Sequence, residues 1–184
     1  MKILIGGKGR SGAYDMMRVL TASIAACHSY TDVKLVYIFD EENREHLEDW
    51  ECMRWLPHVW SEDKSIRFMA GNELEMRDIF FHLANVLRGR EENSKDKIVP
   101  KPYYVIFIEN SASLEGEMLS KYIYHPRPEY GMTTFLMVES LSQLPNSCEI
   151  VIENDSYYHS VYDLMEVNRT KMQSFTPDSV SVAA

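Results

Sequence analysis

Lys2-Ile3-Leu4-Ile5-Gly6-Gly7-Lys8-Gly9-Arg10-Ser11-Gly12-Ala13-Tyr14-Asp15-Met16-Met17-Arg18 is the stretch on which the reading of the fold turns. Lys2 to Ile5 is a short apolar strand, and Gly6 to Gly12 is too rich in glycine to be regular structure. From Ala13 to about His28, the residues Ala13, Met16, Met17, Leu20, Ile24 and Cys27 recur at three and four positions, the buried stripe of a helix. Val33 to Phe39 is then a continuous apolar, β-branched and aromatic run, as in a strand covered on both faces. Strand, glycine loop, helix and strand make a unit that opens a parallel sheet. Ligands of such sheets bind at the carboxyl ends of the strands, so the glycine loop is the first place to look for chemistry.

Two motifs overlay that loop. Read as a P-loop, Gly7 and Gly12 hold the two glycine positions, but Ala13 stands where lysine is required and Tyr14 where serine or threonine is required. The lysine neutralises the β and γ phosphates and the hydroxyl ligates magnesium, so hydrolysis should be lost while backbone donors remain. Asp15 adds a carboxylate in the first helical turn, where it competes with an anion for the positive end of the helix dipole. Read as a dinucleotide fingerprint, Gly7-Lys8-Gly9-Arg10-Ser11-Gly12 is a full GxGxxG match, and Asp40 ends the second strand where a ribose-binding acid belongs.

Downstream, Asp40 to Gly71 is charged, holds Trp50, Trp55 and Trp60, and ends in a short strand at Ile66 to Ala70. Asn72 caps a helix, with Glu75 as the reciprocal partner and Met76, Ile79, Phe80, Leu83 and Leu87 along one face. Arg88 to Pro102 reads as an exposed loop, Tyr103 to Ile108 as a second buried strand, and Leu114 to Tyr124 as a helix. Thr133 to Val138 and Glu149 to Glu153 are further strands, and Tyr157 to Leu164 pairs back as a hairpin. The order implies an α/β fold with a mostly parallel central sheet, helices on both faces and a C-terminal β-hairpin.

Composition limits the rest. With 184 residues and 45% apolar content, the expectation is one domain over 1–184 with one core. A net charge of -9 without a basic cluster argues against a surface that grips nucleic acid. Cys27, Cys52 and Cys148 lack the paired spacing of a zinc site or a disulfide framework and fit a reducing compartment. No apolar run approaches the ~20 residues of a membrane span, and Met1 leads into a strand rather than a signal peptide. His28, His46, His82, His125 and His159 show no ligand spacing, so no metal is expected.

Tyr104-Val105-Ile106-Phe107-Ile108-Glu109-Asn110 has the form of a Walker B strand, an apolar run ending in an acid, with an amide at the second acidic position. Glu109 has the carboxylate to hold a metal-bound water; Asn110 has no basic site. Together with GGKGRSGAYDMMR, SYTDVKLVYI, RWLPHVWSEDKSIRFMA, SQLPNSCEIVI and NRTKMQSFTPD, this strand resembles the EssC family, the FtsK/SpoIIIE-type membrane ATPases of bacterial type VII secretion. The resemblance covers nearly the whole chain, and RWLPHVW is its most specific block. It implies a RecA-like P-loop NTPase fold and a piece of a longer, membrane-anchored motor at the cytoplasmic face of the bacterial membrane, one of that motor's non-catalytic ATPase-like domains near the membrane side of its cytoplasmic array. The ends, without transmembrane or forkhead-associated segments, suggest an excised fragment.

The family's Walker A lysine falls on Ala13 and its Walker B pair on Glu109 and Asn110, and the chain departs from the pattern at both. The expectation is a degenerate, pseudo-ATPase domain with no catalytic residue and no metal. Its vestigial nucleotide site would comprise Gly7, Lys8, Gly9, Arg10, Ser11, Gly12, Ala13, Glu109 and Asn110, with ATP and magnesium held weakly or not at all. Expected partners are neighbouring ATPase domains of the same chain, membrane components of type VII secretion or secreted substrates, in a possible oligomer and without nucleic acid. The alternative is a nucleotide-binding enzyme, either a weak NTPase or a dinucleotide-dependent oxidoreductase using Gly7 to Gly12 and Asp40. Trp50, Trp55 and Trp60 with His58 form either a docking surface or a satellite cluster packed under a long connection.

Overall fold

The computed structural model describes residues 3–6, 11–43, 47–93, 99–155, 157–164 and 172–180. Strands β1 (Ile3–Gly6), β2 (Val33–Ile38), β3 (Met69–Ala70), β4 (Tyr103–Ile108), β5 (Met132–Val138), β6 (Ile150–Asn154), β7 (His159–Asp163) and β8 (Gln173–Ser174) form one sheet. Their order is β3-β2-β4-β5-β1-β6-β7-β8. Neighbours from β3 through β6 run parallel, whereas β6–β7 and β7–β8 are antiparallel, so the expected parallel sheet ends in the expected hairpin.

The central strands are apolar throughout because both of their faces are covered. Successive side chains of a strand point to opposite faces, and the core divides accordingly. Leu35 and Tyr37 of β2 and Val105 and Phe107 of β4 meet one layer, while Val36, Ile38, Ile106 and Ile108 meet the other. The first layer is α1 (Ser11–Cys27), with Trp50 of the short helix α2 (Leu47–Glu51) and Met53 from the turn behind it. The second layer is α3 (Glu73–Glu92) and α4 (Leu119–Tyr124). Arg18 ties α1 to α2 through an ion pair with Asp49. The fold is RecA-like, with helices on both faces of the sheet.

Four local expectations are corrected. The helix α3 does not stop at Arg88 but runs to Glu92, and Arg90 supplies the reason: its guanidinium donates to the carbonyls of Tyr130 at 2.5 Å and Pro102 at 2.6 Å, and lies 5.1 Å from the Tyr104 ring centroid. A charge pattern that reads as solvated loop is here an arginine folded over the amino ends of β4 and β5. The helix expected over Leu114 to Tyr124 is a 3-10 turn at Ser111–Leu114 followed by α4, with Gly116 between them at a φ of 77° that favours glycine. The strand expected at Ile66 to Ala70 shrinks to β3 plus a bridge between Trp60 and Arg67. Asn72 caps α3 by accepting from the Glu75 amide at 3.1 Å, yet the Glu75 carboxylate accepts from the Gly71 amide at 3.3 Å, one residue short of a reciprocal box.

Candidate functional site

Of the expected nucleotide residues, Gly7, Lys8, Gly9 and Arg10 lie outside the described residues, as do His46 and residues 168–171 of the closing block. For Ser11 the structure gives the backbone alone. The loop's last glycine is fixed by packing: a Cβ on Gly12 would stand 1.7 Å from the Asn154 carbonyl oxygen. The Asn154 amide in turn donates to the Gly12 carbonyl at 2.7 Å, so the first turn of α1 is clamped to the carboxyl end of β6.

Ala13 and Tyr14 follow, both buried. Ala13 contributes no charge. Tyr14 reaches across the sheet edge, and its phenol donates to Glu109 Oε1 at 2.5 Å, joining residues 95 positions apart. The same oxygen accepts from Asn43 Nδ2 at 2.7 Å, and Glu109 Oε2 accepts from the Asp40 backbone amide at 3.0 Å. The Glu109 amide donates to the Ile38 carbonyl at 2.9 Å, fixing the acid beside the end of β2. Among the described residues, three donors converge on the buried carboxylate, as a buried charge requires. The Tyr14 ring is held by Trp50, edge-on at 5.7 Å, and Trp50 stacks on Phe39 at 5.3 Å.

The hydroxyl at the Walker A position and the acid at the Walker B position touch directly, with no room for a water or an ion between them. No lysine stands at position 13 to meet a γ phosphate. Asn110 turns away: it is exposed, and its side chain accepts from the Ala112 amide at 3.0 Å, capping the 3-10 turn. Among the described residues, no group of three histidines, cysteines or acids stands close enough to hold a metal ion. No helix among them is long and apolar enough to cross a membrane.

The dinucleotide reading fails on sheet order. It needs the second strand beside the first, whereas β5 and β4 stand between β1 and β2. At ~4.8 Å per strand, the acid-bearing strand lies about 14 Å from β1 across the sheet, about 10 Å farther than the reading requires. The Asp40 side chain instead accepts from the Glu42 amide at 3.0 Å, closing a local turn. The three tryptophans form neither a single interface nor a single cluster: Trp50 is core, Trp60 is half-buried under Arg67 at 4.4 Å, and Trp55 is 81% exposed. Asn43 carried no motif signal in the sequence; only the closure of the chain around Glu109 reveals it.

No protein-family model matches the chain. Among curated proteins, it is 25% identical over 169 residues to the ESX secretion system protein EccC of Geobacillus thermodenitrificans, a match over 85% of this chain and 11% of that protein. It is 22% identical over 172 residues to the type VII secretion system protein EssC of Staphylococcus aureus, over 90% of this chain and 11% of that protein. The chain is similar over most of its length to these type VII secretion proteins. It spans about a tenth of the length of these curated relatives. Solved structures of type VII secretion ATPases share the fold. The cytoplasmic domain of Thermomonospora curvata EccC superposes with a TM-score of 0.64 at 9% identity, over 98% of this chain and 24% of that one. ATPases 2 and 3 of Geobacillus thermodenitrificans EssC give 0.63 at 17% identity, over 98% and 35%. Thermomonospora curvata EccC ATPases 2 and 3, in complex with a signal sequence peptide, give 0.63 at 8% identity, over 98% and 37%.

Proposed function

We propose that this chain is a degenerate ATPase-like domain of a type VII secretion motor, acting in structure and regulation during protein export rather than in hydrolysis. The observation that carries the reading is the hydrogen bond from Tyr14 to Glu109. It joins the position that should ligate magnesium to the acid that should polarise water, and it leaves neither free for that work. In a motor of several such domains, a unit that binds nucleotide weakly or not at all transmits or restrains movement through contacts with its neighbours. Its partners are then the adjoining ATPase domains, with membrane components or secreted substrates beyond them, at the cytoplasmic face of the bacterial membrane. The complex of Thermomonospora curvata EccC with a signal sequence peptide makes a secreted substrate a reasonable partner class. Nucleic acid is disfavoured by the net charge of -9.

Phosphate release from ATP with magnesium tests the reading. The chain should release none above buffer, and the same should hold for Glu109→Gln. Turnover by the unmodified chain that Glu109→Gln abolishes would overturn the proposal and establish a working ATPase with an unconventional loop.

A further inference from the structure

Two cavities adjoin at the carboxyl ends of β2, β3 and β4, the edge where parallel sheets take their ligands. They enclose about 1430 Å³ and 640 Å³ and share Phe39, Glu41 and Glu42, so they form one trough. Small-molecule sites occupy ~300–1,000 Å³, and the trough exceeds that range. Neither Tyr14 nor Glu109 lines it.

Charge and apolar surface coincide here. Among the described residues, ten carboxylates border the trough against three arginines. Two of those arginines are engaged with aromatic rings, Arg54 over Trp55 at 5.5 Å and Arg67 over Trp60 at 4.4 Å. Phe39, Leu47, Trp60, Ile66, Met69 and Ile79 supply apolar lining. At the rim, Asp78 of α3 has Leu74 four residues before it and Phe81 three after, on one helical face, and these are 75% and 69% exposed. Trp55, beside the lining residue Arg54, is 81% exposed. Large apolar side chains left in water around one groove mark a surface that another molecule covers, and tryptophan is prominent among such anchors.

We infer that this trough docks a cationic, amphipathic segment of a separate polypeptide, its lysines and arginines facing the carboxylate walls and its apolar side chains meeting Trp55, Leu74, Phe81 and the floor. Acidic walls repel nucleotides and nucleic acid and attract such a segment, and charge sign also sets which partner is rejected. The inference goes beyond the proposed loss of hydrolysis and stands whether or not nucleotide binds at the glycine loop.

Fluorescence anisotropy on the purified chain tests it with three labelled peptides of equal length: lysine alternating with leucine, glutamate alternating with leucine, and lysine alternating with serine. The lysine–leucine peptide should bind, and Glu48→Lys with Glu51→Lys should weaken it at least about tenfold, the loss expected for reversed rim charges. Trp55→Ala should weaken it severalfold, and Glu149→Lys, at the amino end of β6, should leave it unchanged. All four positions are exposed, so the variants should keep the parent's circular dichroism and thermal midpoint. Equal binding of the lysine–serine peptide would reduce the trough to a diffuse acidic surface and overturn the inference. So would unchanged binding by the Glu48/Glu51 variant, or no binding of the lysine–leucine peptide at low salt. Self-association of the parent that the same variant abolishes would assign the trough to a second copy and overturn it equally.

Discussion

A tyrosine where a P-loop carries serine or threonine keeps the hydroxyl but moves it to the end of a longer, rigid arm. In this chain the arm is long enough for Tyr14 to reach Glu109 directly at 2.5 Å. Replacing Tyr14 with phenylalanine keeps the packing against Trp50 and deletes one donor from a buried carboxylate. Such a deletion costs about 1–3 kcal/mol, and in a chain of this size each kcal/mol lowers the midpoint by about 2–4 °C. Thermal denaturation of Tyr14→Phe should therefore show a midpoint several degrees below the parent, and an unchanged midpoint would mean that the bond carries no stability. The sequence shows at once that Ala13 and Tyr14 lack the chemistry of lysine and serine. It does not show what replaces that chemistry, because Tyr14, Asn43 and Glu109 are brought together only by tertiary packing.

At the scale of elements, legibility follows the locality of the signal. β2 and β4 are recognisable as buried strands because their whole runs are apolar, and α1 and the start of α3 because a periodic stripe or a capping asparagine marks them. The end of α3 is not recognisable, since Arg90 looks like solvated charge until the amino ends of β4 and β5 are present for it to cover. The connection from β2 to β3 is the least legible element, and its tryptophans show why. Composition cannot distinguish Trp50, packed among Phe39, Tyr14 and Tyr37, from Trp55, which stands in water. Their energetic roles differ accordingly. Trp50→Ala should cost about 3–5 kcal/mol as a core truncation, whereas Trp55→Ala should stay within about 0.5 kcal/mol. Urea unfolding of the two variants checks this; equal losses would contradict the assignment of Trp50 to the core and Trp55 to the surface.

At the scale of the whole molecule, strand order decides between the two motifs that overlay the glycine loop, and it decides against the dinucleotide fingerprint that the loop matches in full. Order is set by pairings far apart in sequence: β1 lies between β5 and β6, while β2 pairs with β4. No local pattern encodes that arrangement, and it removes Asp40 from the role that its position at a strand end suggests. The same arrangement brings the connection after β2, the start of α3 and the turn after β4 to one edge, where acids scattered along the sequence become the walls of a single trough. The trough and the closed acid are therefore products of the sheet, one facing outward and one sealed within.

The closed site is tested most directly by the thermal midpoint of the purified chain with ATP plus magnesium, with ADP and with NAD, each at millimolar concentration. A ligand at a hundred times its dissociation constant stabilises the folded state by about 2.7 kcal/mol, which corresponds to a rise of about 5–10 °C in a chain of this size. No such rise is expected with ATP plus magnesium, because Tyr14 already occupies Glu109. A rise of that size with ATP plus magnesium, lost in Glu109→Gln, would contradict that expectation and show that the carboxylate opens to hold the metal.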